Sequence, residues 1–170
     1  HLRVALYSND GTRIEIFDEK LKQIGISNTL AKGETMYSSR FIGDKAYLVT
    51  YKTIDPLFVI DLSNEASPKV LGQLKIPGYS TYLHPYDENH LIGIGRETET
   101  NSYRNDLGRV ISTNTVKTSI EMALFDVTDV SNPKTISSVT IGDSKTTSAI
   151  LENPKALLFS KKKNLPAIPV

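Results

Sequence analysis

The stretch PLFVIDLSNEASPKV (Pro56–Val70) decides how the chain is read, because it returns as MALFDVTDVSNPKT (Met122–Thr135). Placing Asp61 on Asp126 also places Ser63 on Thr128 and Pro68 on Pro133, all at an offset of 65 residues. Self-similarity at a long fixed spacing marks a repeated supersecondary unit whose copies bury their apolar faces against one another. The unit is found by working outward from this stretch.

Upstream, YSSRFIG (Tyr37–Gly43) leads through a turn at Gly43-Asp44-Lys45 to AYLVTY (Ala46–Tyr51), and a connection through Asp55-Pro56 leads to LFVIDL (Leu57–Leu62). Downstream, a loop from Ser63 to Pro68 precedes KVLGQLKI (Lys69–Ile76), closed by Pro77-Gly78. These are four short segments rich in β-branched and aromatic residues, separated by turn formers. Four antiparallel strands in roughly 40 to 50 residues is the period of a propeller blade.

The next unit keeps the order. YSTYLHP (Tyr79–Pro85), a turn at Asp87-Glu88-Asn89, HLIGIG (His90–Gly95), IEMALFDV (Ile120–Val127) and KTISSVTI (Lys134–Ile141) fill the four strand places. Second strands align at Ala46, Leu91 and Ala156, in steps of 45 and 65 residues. The surplus falls in the polar segment 96–119, which reads as a loop inserted between strands two and three. A third unit begins with KTTSAIL (Lys145–Leu151) and continues with KALLFS (Lys155–Ser160) and LPAIPV (Leu165–Val170) as second and third strands. At the other end HLRVALYS (His1–Ser8), the tight turn Asn9-Asp10-Gly11, RIEIFD (Arg13–Asp18) and LKQIGI (Leu21–Ile26) align 43 residues before the first full unit, so the chain opens on a second strand.

The expected architecture is all-β, with four-stranded antiparallel blades: a partial blade over 1–36, full blades over 37–78 and 79–142, and a partial blade over 143–170. No stretch keeps a helical apolar period over ten residues. Packing between blades is expected to bury Leu48, Val59, Ile60, Leu62, Ile92, Leu124, Phe125 and Leu158. The first residue is His1 rather than methionine, which reads as a piece cut from a longer protein. The strands near His1 and Val170 are then expected to pair with flanking sequence or with another copy.

Composition narrows the function classes. Twenty basic and nineteen acidic residues give a net charge of +1, so no overall field draws the chain to nucleic acid or an anionic membrane. Lys161-Lys162-Lys163 reads as a solvated hairpin turn. The absence of cysteine removes disulfides, thiolate metal sites and cysteine nucleophiles. No apolar run approaches the roughly 18 to 20 residues that span a bilayer. Phosphate-loop, nucleophile-elbow and zinc-helix signatures do not occur.

Over Tyr37–Val170, the motifs YSSRFIGDKAYLVTYKTIDPLFVIDLSNEASPKVLGQLKIPGYSTYLHPYDENHLIGIG, LFDVTDVSNPK and KALLFSKKKNLPAIPV together resemble the β-propeller domain family of secreted bacterial and archaeal proteins, a distant relative of WD-repeat propellers. The resemblance implies an extracellular or cell-surface protein whose propeller is larger than this chain. It implies no reaction and no catalytic residues.

Candidate sites therefore rest on residue chemistry. The densest stretch is YSTYLHPYDENH (Tyr79–His90), whose Tyr82, His84, Tyr86 and Asp87 form one candidate binding group. Imidazole and carboxylate suit a zinc-like ion, but His84 and His90 lie across a turn, so their side chains are expected to point apart. Asp87-Glu88-Asn89 is then a turn whose side chains bond their own backbone. The recurring Asp18, Asp61 and Asp126 read as strand-end groups that accept backbone N–H bonds. Asp10, Asp106, Asp129 and Asn132 are loop oxygens that suit surface calcium, yet none sits in an EF-hand pattern; otherwise no cofactor is expected. The inserted segment adds Tyr103 and Arg104, residue types that anchor protein contacts from loops.

These features point to a non-catalytic binding module for a protein, glycan or cell-envelope partner. The alternatives are a hydrolase or lyase acting on the propeller face through His84 and Asp87 or the recurring aspartates, and a structural spacer.

Overall fold

The computed structural model describes residues 1–51, 55–76 and 78–170. The connection before Asp55 and the turn expected at Pro77-Gly78 lie partly outside them. Strands β1 (Leu2–Ser8), β2 (Gly11–Phe17) and β3 (Gln23–Ile26) form one antiparallel sheet in chain order. A four-stranded sheet follows from β4 (Thr35–Ile42), β5 (Lys45–Tyr51), β6 (Asp55–Asp61) and β7 (Lys69–Ile76). The third sheet comprises β8 (Tyr79–Pro85), β9 (His90–Arg104), β10 (Val110–Asp126) and β11 (Lys134–Ile141), and a short hairpin of β12 (Leu158–Ser160) and β13 (Leu165–Ala167) closes the described chain. Each sheet is a meander, the topology of a propeller blade.

The middle strands read as unbroken apolar runs because both of their faces are covered. Alternate side chains of a strand point to opposite faces. Ala46, Leu48, Phe58 and Ile60 accordingly pack toward Ile14 and Ile16 of the first blade. Their neighbours Tyr47, Val49, Leu57 and Val59 pack toward Leu83, Leu91, Ala123 and Phe125 of the third. Outer strands face water on one side, and β11 is exposed along nearly its whole length.

Two devices recur from blade to blade. The strand-end aspartates bond the loops that follow them: Asp18 Oδ1 accepts from Lys20 and Lys22 N–H at 2.8 and 2.9 Å, Asp61 from Ser63 at 2.9 Å and Asp126 from Thr128 at 2.8 Å. Each fourth strand also carries a β-bulge, at Ile24, Leu71 and Ile136. The residue after the bulge is Gly25 in the first blade and Gly72 in the second, and each glycine admits the third-to-fourth-strand loop of the following blade. A Cβ at Gly25 would lie 1.6 Å from the Glu65 carbonyl oxygen, and one at Gly72 would lie 2.2 Å from that of Val130. The third blade has Ser137 in that place, opposite Leu124 as Gly72 is opposite Val59.

The structure corrects four expectations. Segment 96–119 is no irregular loop: it continues β9 and β10 as a two-stranded ribbon, paired from Thr98↔Lys117 to Arg104↔Val110. Alternating β-branched residues opposed by a polar strand sustain the pairing, and Asn105–Gly108 close it with a tight turn. Lys145–Leu151 forms no strand; Ser148 instead caps a 3-10 turn over Ala149–Leu151. KALLFS and LPAIPV take first and second places rather than second and third. Phe159 of β12 packs on His84 of β8, 4.5 Å between ring centres, and the turn at Lys161–Asn164 stands beside the first turn of the preceding blade, where Tyr86 donates to Asn164 at 2.8 Å. With that shift, Leu158 is 67% exposed, and Leu124 is half-buried; the other expected core residues are buried.

Candidate functional site

The sequence candidates separate into two places. Tyr82, His84, Tyr86 and Asp87 lie along β8 and the turn after it, where the third blade meets the C-terminal hairpin. Tyr103 and Arg104 lie at the far tip of the ribbon, because β9 starts at that turn and runs the full length of the blade and beyond.

At the first place an aromatic cluster forms. Tyr82 and His84 alternate with Leu83, so Leu83 enters the core against the second blade while the other two face the hairpin. The Tyr82 hydroxyl and His84 Nδ1 share a hydrogen bond of 3.0 Å. Phe159 stands edge-on to His84 and 5.9 Å from the Tyr86 ring. His90 pairs instead with Asp87 Oδ1 at 2.8 Å, and Asp87 also accepts from the Asn89 N–H at 2.8 Å. His84 and Asp87 thus hold different partners, and no group of three or more metal-ligating side chains gathers among the described residues. Burial pushes the Asp87 carboxyl up, but the Asn89 N–H and the His90 ring outweigh it and leave it below the ordinary carboxylate range.

Burial, and secondly the positive charge of Arg40 on the equivalent position of β4, hold the His84 ring below its ordinary value of 6.5. A depressed histidine pKa means the unfolded chain takes the proton first, so His84 destabilises the fold as pH falls below 6.5 and has no such effect above it. The expected result is a ring titration midpoint below 6.5 by NMR that rises in the R40Q variant. A midpoint at or above 6.5 in the native chain would contradict this account of the site.

Next to the cluster lies a cleft of about 320 Å³ lined by Tyr86, Met122, Leu124, Ser137, Asn164 and Pro166. Leu57 and Val59, which hold the same registers in the second blade as Met122 and Leu124 do in the third, are fully buried beneath the third blade. The C-terminal hairpin covers Met122 and Leu124 only in part, and the cleft is the remainder.

The ribbon has a built root and a bare tip. At the root, Glu97 accepts from Thr118 at 3.1 Å and Ser119 at 2.8 Å, and Lys117 Nζ sits 5.5 Å above the Tyr79 ring. Tyr79 is itself packed on Tyr37 and Tyr51, with ring centres 4.3 and 5.2 Å away. Hydrogen bonding to Tyr79 raises the Lys117 pKa. This tyrosine platform was not legible in the sequence, since its members lie on three strands; the signal is that Tyr51 and Tyr79 stand at strand ends and Tyr37 within two residues of one. Residues 99–114 are exposed throughout, including Tyr103 at 54%, Leu107 at 79% and Ile111 at 66%. Arg104 donates to the Gly108 carbonyl at 2.8 Å, and Asn105 Oδ1 accepts from the Leu107 and Arg109 N–H groups, so the tip is a shaped turn.

Meander sheets packed face to face, with loop-bonding aspartates and glycine-admitted loops recurring between them, define a run of β-propeller blades. The family model described as "Beta propeller domain" matches residues 1–170, and the chain belongs to that family. It is 48% identical over 123 residues to an uncharacterized protein of Methanocaldococcus jannaschii, a match covering 72% of this chain and 17% of that protein. It is 38% identical over 135 residues to an uncharacterized protein of Archaeoglobus fulgidus, covering 79% of this chain and 19% of that one. The chain therefore spans less than a fifth of the length of these curated relatives. No solved structure matches it. No helix among the described residues is long and apolar enough to cross a membrane.

Proposed function

We propose that the chain is a non-catalytic binding module of an exported or cell-surface protein, and that its partner is a protein, glycan or other cell-envelope component. The propeller fold supports a role in interaction or structure, and one observation carries the finer reading. A ribbon of exposed residues ends in Tyr103, Arg104, Leu107 and Ile111, all of which stay largely open to solvent and outside the core clusters. Exposed apolar residues gathered on a projecting tip mark an interaction site, and tyrosine with arginine supplies the rigid area and forked hydrogen bonding that anchor contacts.

The test shortens the ribbon. Residues 98–117 are replaced by Asn-Gly, a two-residue turn that keeps the Glu97 bonds at the root and copies the tight connection between β1 and β2. The shortened protein is expected to unfold within a few degrees of the native one, since the deleted part carries little of the core. Its co-sedimentation with isolated cell envelopes is expected to fall to background, and a Y103A/R104A variant to lose about tenfold or more. Undiminished sedimentation of the shortened protein would refute the reading.

A further inference from the structure

We propose that the outer edge of β10 in the ribbon, Ser112–Lys117, is a self-recognition edge: a second copy of the chain adds to it in antiparallel register, Thr115 lying opposite Thr115 across a twofold axis. This goes beyond the partner-binding reading and does not rest on it.

Four observations carry it. First, β11 accompanies β10 only as far as Ile120, so Ser112–Lys117 pairs with β9 alone among the described residues and presents alternate N–H and C=O groups outward. Second, an isolated two-stranded ribbon is at best marginally stable in water, and a third strand removes one bare edge. Third, β-bulges at Val110/Ser112 and Lys117/Ile120 bracket the segment. Bulges bend a strand and interrupt its ladder, so the regular run between them is a defined length of edge.

Fourth, composition chooses the partner and the register. The run STNTVK holds one charge, no glycine and no proline, the profile of a strand that pairs edge to edge. Natural edges facing water usually carry charge to prevent this. The opposite edge, on β9, carries the charged Glu99. A twofold axis perpendicular to the sheet keeps each residue on its own face, so the paired residues must share a face. Centring on Thr115 puts Thr113 opposite Lys117, Asn114 opposite Val116, and no like charges opposite each other. It also extends a bond already present. Thr100 and Thr115 hydroxyls meet at 2.9 Å across the ribbon, and the twofold continues this into a row of four threonines, a favourable cross-strand pairing. A short edge of this kind fits a weak, reversible dimer.

The test traps the dimer. The chain has no cysteine, so a T115C variant carries a single thiol. Its two copies would lie about 4.5–5.5 Å apart at Cα, within disulfide reach. In a T113C variant the mates lie four residues out of register, roughly 13 Å apart. Mild oxidation is expected to link T115C rapidly and T113C barely. Adding T113K to T115C sets two like-charge pairs against Lys117 and is expected to cut the trapped dimer about tenfold, while T113E sets opposite charges there and preserves it. T113E alters the same side chain, so a dimer it retains shows that the loss in T113K comes from charge register and not from an unravelled ribbon. Equal linking of T115C and T113C, or equal effects of T113K and T113E, would overturn the proposal.

Discussion

Phe125→Ala is expected to destabilise the fold by about 3–5 kcal/mol, the range for removing a fully buried aromatic ring. Phe125 is 0% exposed and belongs to the core shared by the second and third blades, with Tyr47, Val59, Leu83 and Leu91 around it. Its ring lies on Gly93 of the neighbouring strand so closely that a Cβ there would stand 2.5 Å from a ring carbon. The loss is therefore double: apolar area returns to water, and a void opens over a glycine that has no side chain to fill it. For a chain of this size the melting temperature should fall by roughly 10 °C or more. Leu158→Ala supplies the contrast, since that side chain is 67% exposed and its loss should stay within about 0.5 kcal/mol. Equilibrium denaturation of both variants tests the pair, and similar losses from the two would contradict the core described above.

Gly72→Ala is expected to cost about 3 kcal/mol or more, at the upper end of the range for overpacking. Its added methyl would meet the Val130 carbonyl oxygen at 2.2 Å, and the obstacle is backbone, which cannot swing aside as a side chain does. Gly25→Ala should behave alike against Glu65. Ser137→Ala, at the equivalent bulge of the third blade, should be nearly neutral, because Ser137 lines an open cleft. Denaturant midpoints for the three variants decide the matter. A Gly72→Ala protein within 1 kcal/mol of native stability would show that the loop of the following blade does not seat there as described.

The two substitutions also show how far the residues spoke for themselves. Phe125 was legible as core because it repeats the place of Ile60 within an unbroken apolar run, and burial on both faces is the reading such a run supports. Gly72 was visible only as a glycine inside a strand, which signals a bulge or a close approach without naming what approaches. The neighbour is the Val130 loop, 58 residues onward, and it arrives only when two blades stack. Leu158 failed as a core residue for a related reason. Repeat spacing aligns Ala156 with second strands, but spacing cannot distinguish a first strand from a second when both are short and apolar. The position of Phe159 against His84 settles it.

The candidate sites divide along the same line. Asp87 was legible as a turn former because its bonds are to residues two and three positions away. Tyr82, His84 and Tyr86 were legible as a chemically dense stretch, but their meeting with Phe159 and Asn164, more than seventy residues on, was not. Segment 96–119 reads as a loop in sequence because its threonines, asparagines and serines suit turns as well as strands. Only the cross-strand register, with Thr100 bonded to Thr115, makes it a ribbon.

Local composition alone determined the β class, the blade period, the recurring aspartates and the lack of thiol chemistry, since each follows from contacts spanning a few residues or from counting. The stacking of blades decided everything that depends on distant partners: the glycine-admitted loops, the tyrosine platform under the ribbon, the aromatic cluster at His84 and the place of the last hairpin. A repeated sequence specifies its unit many times over, whereas the fit between units is written once at each junction, in residues that carry no pattern until their neighbours are in place.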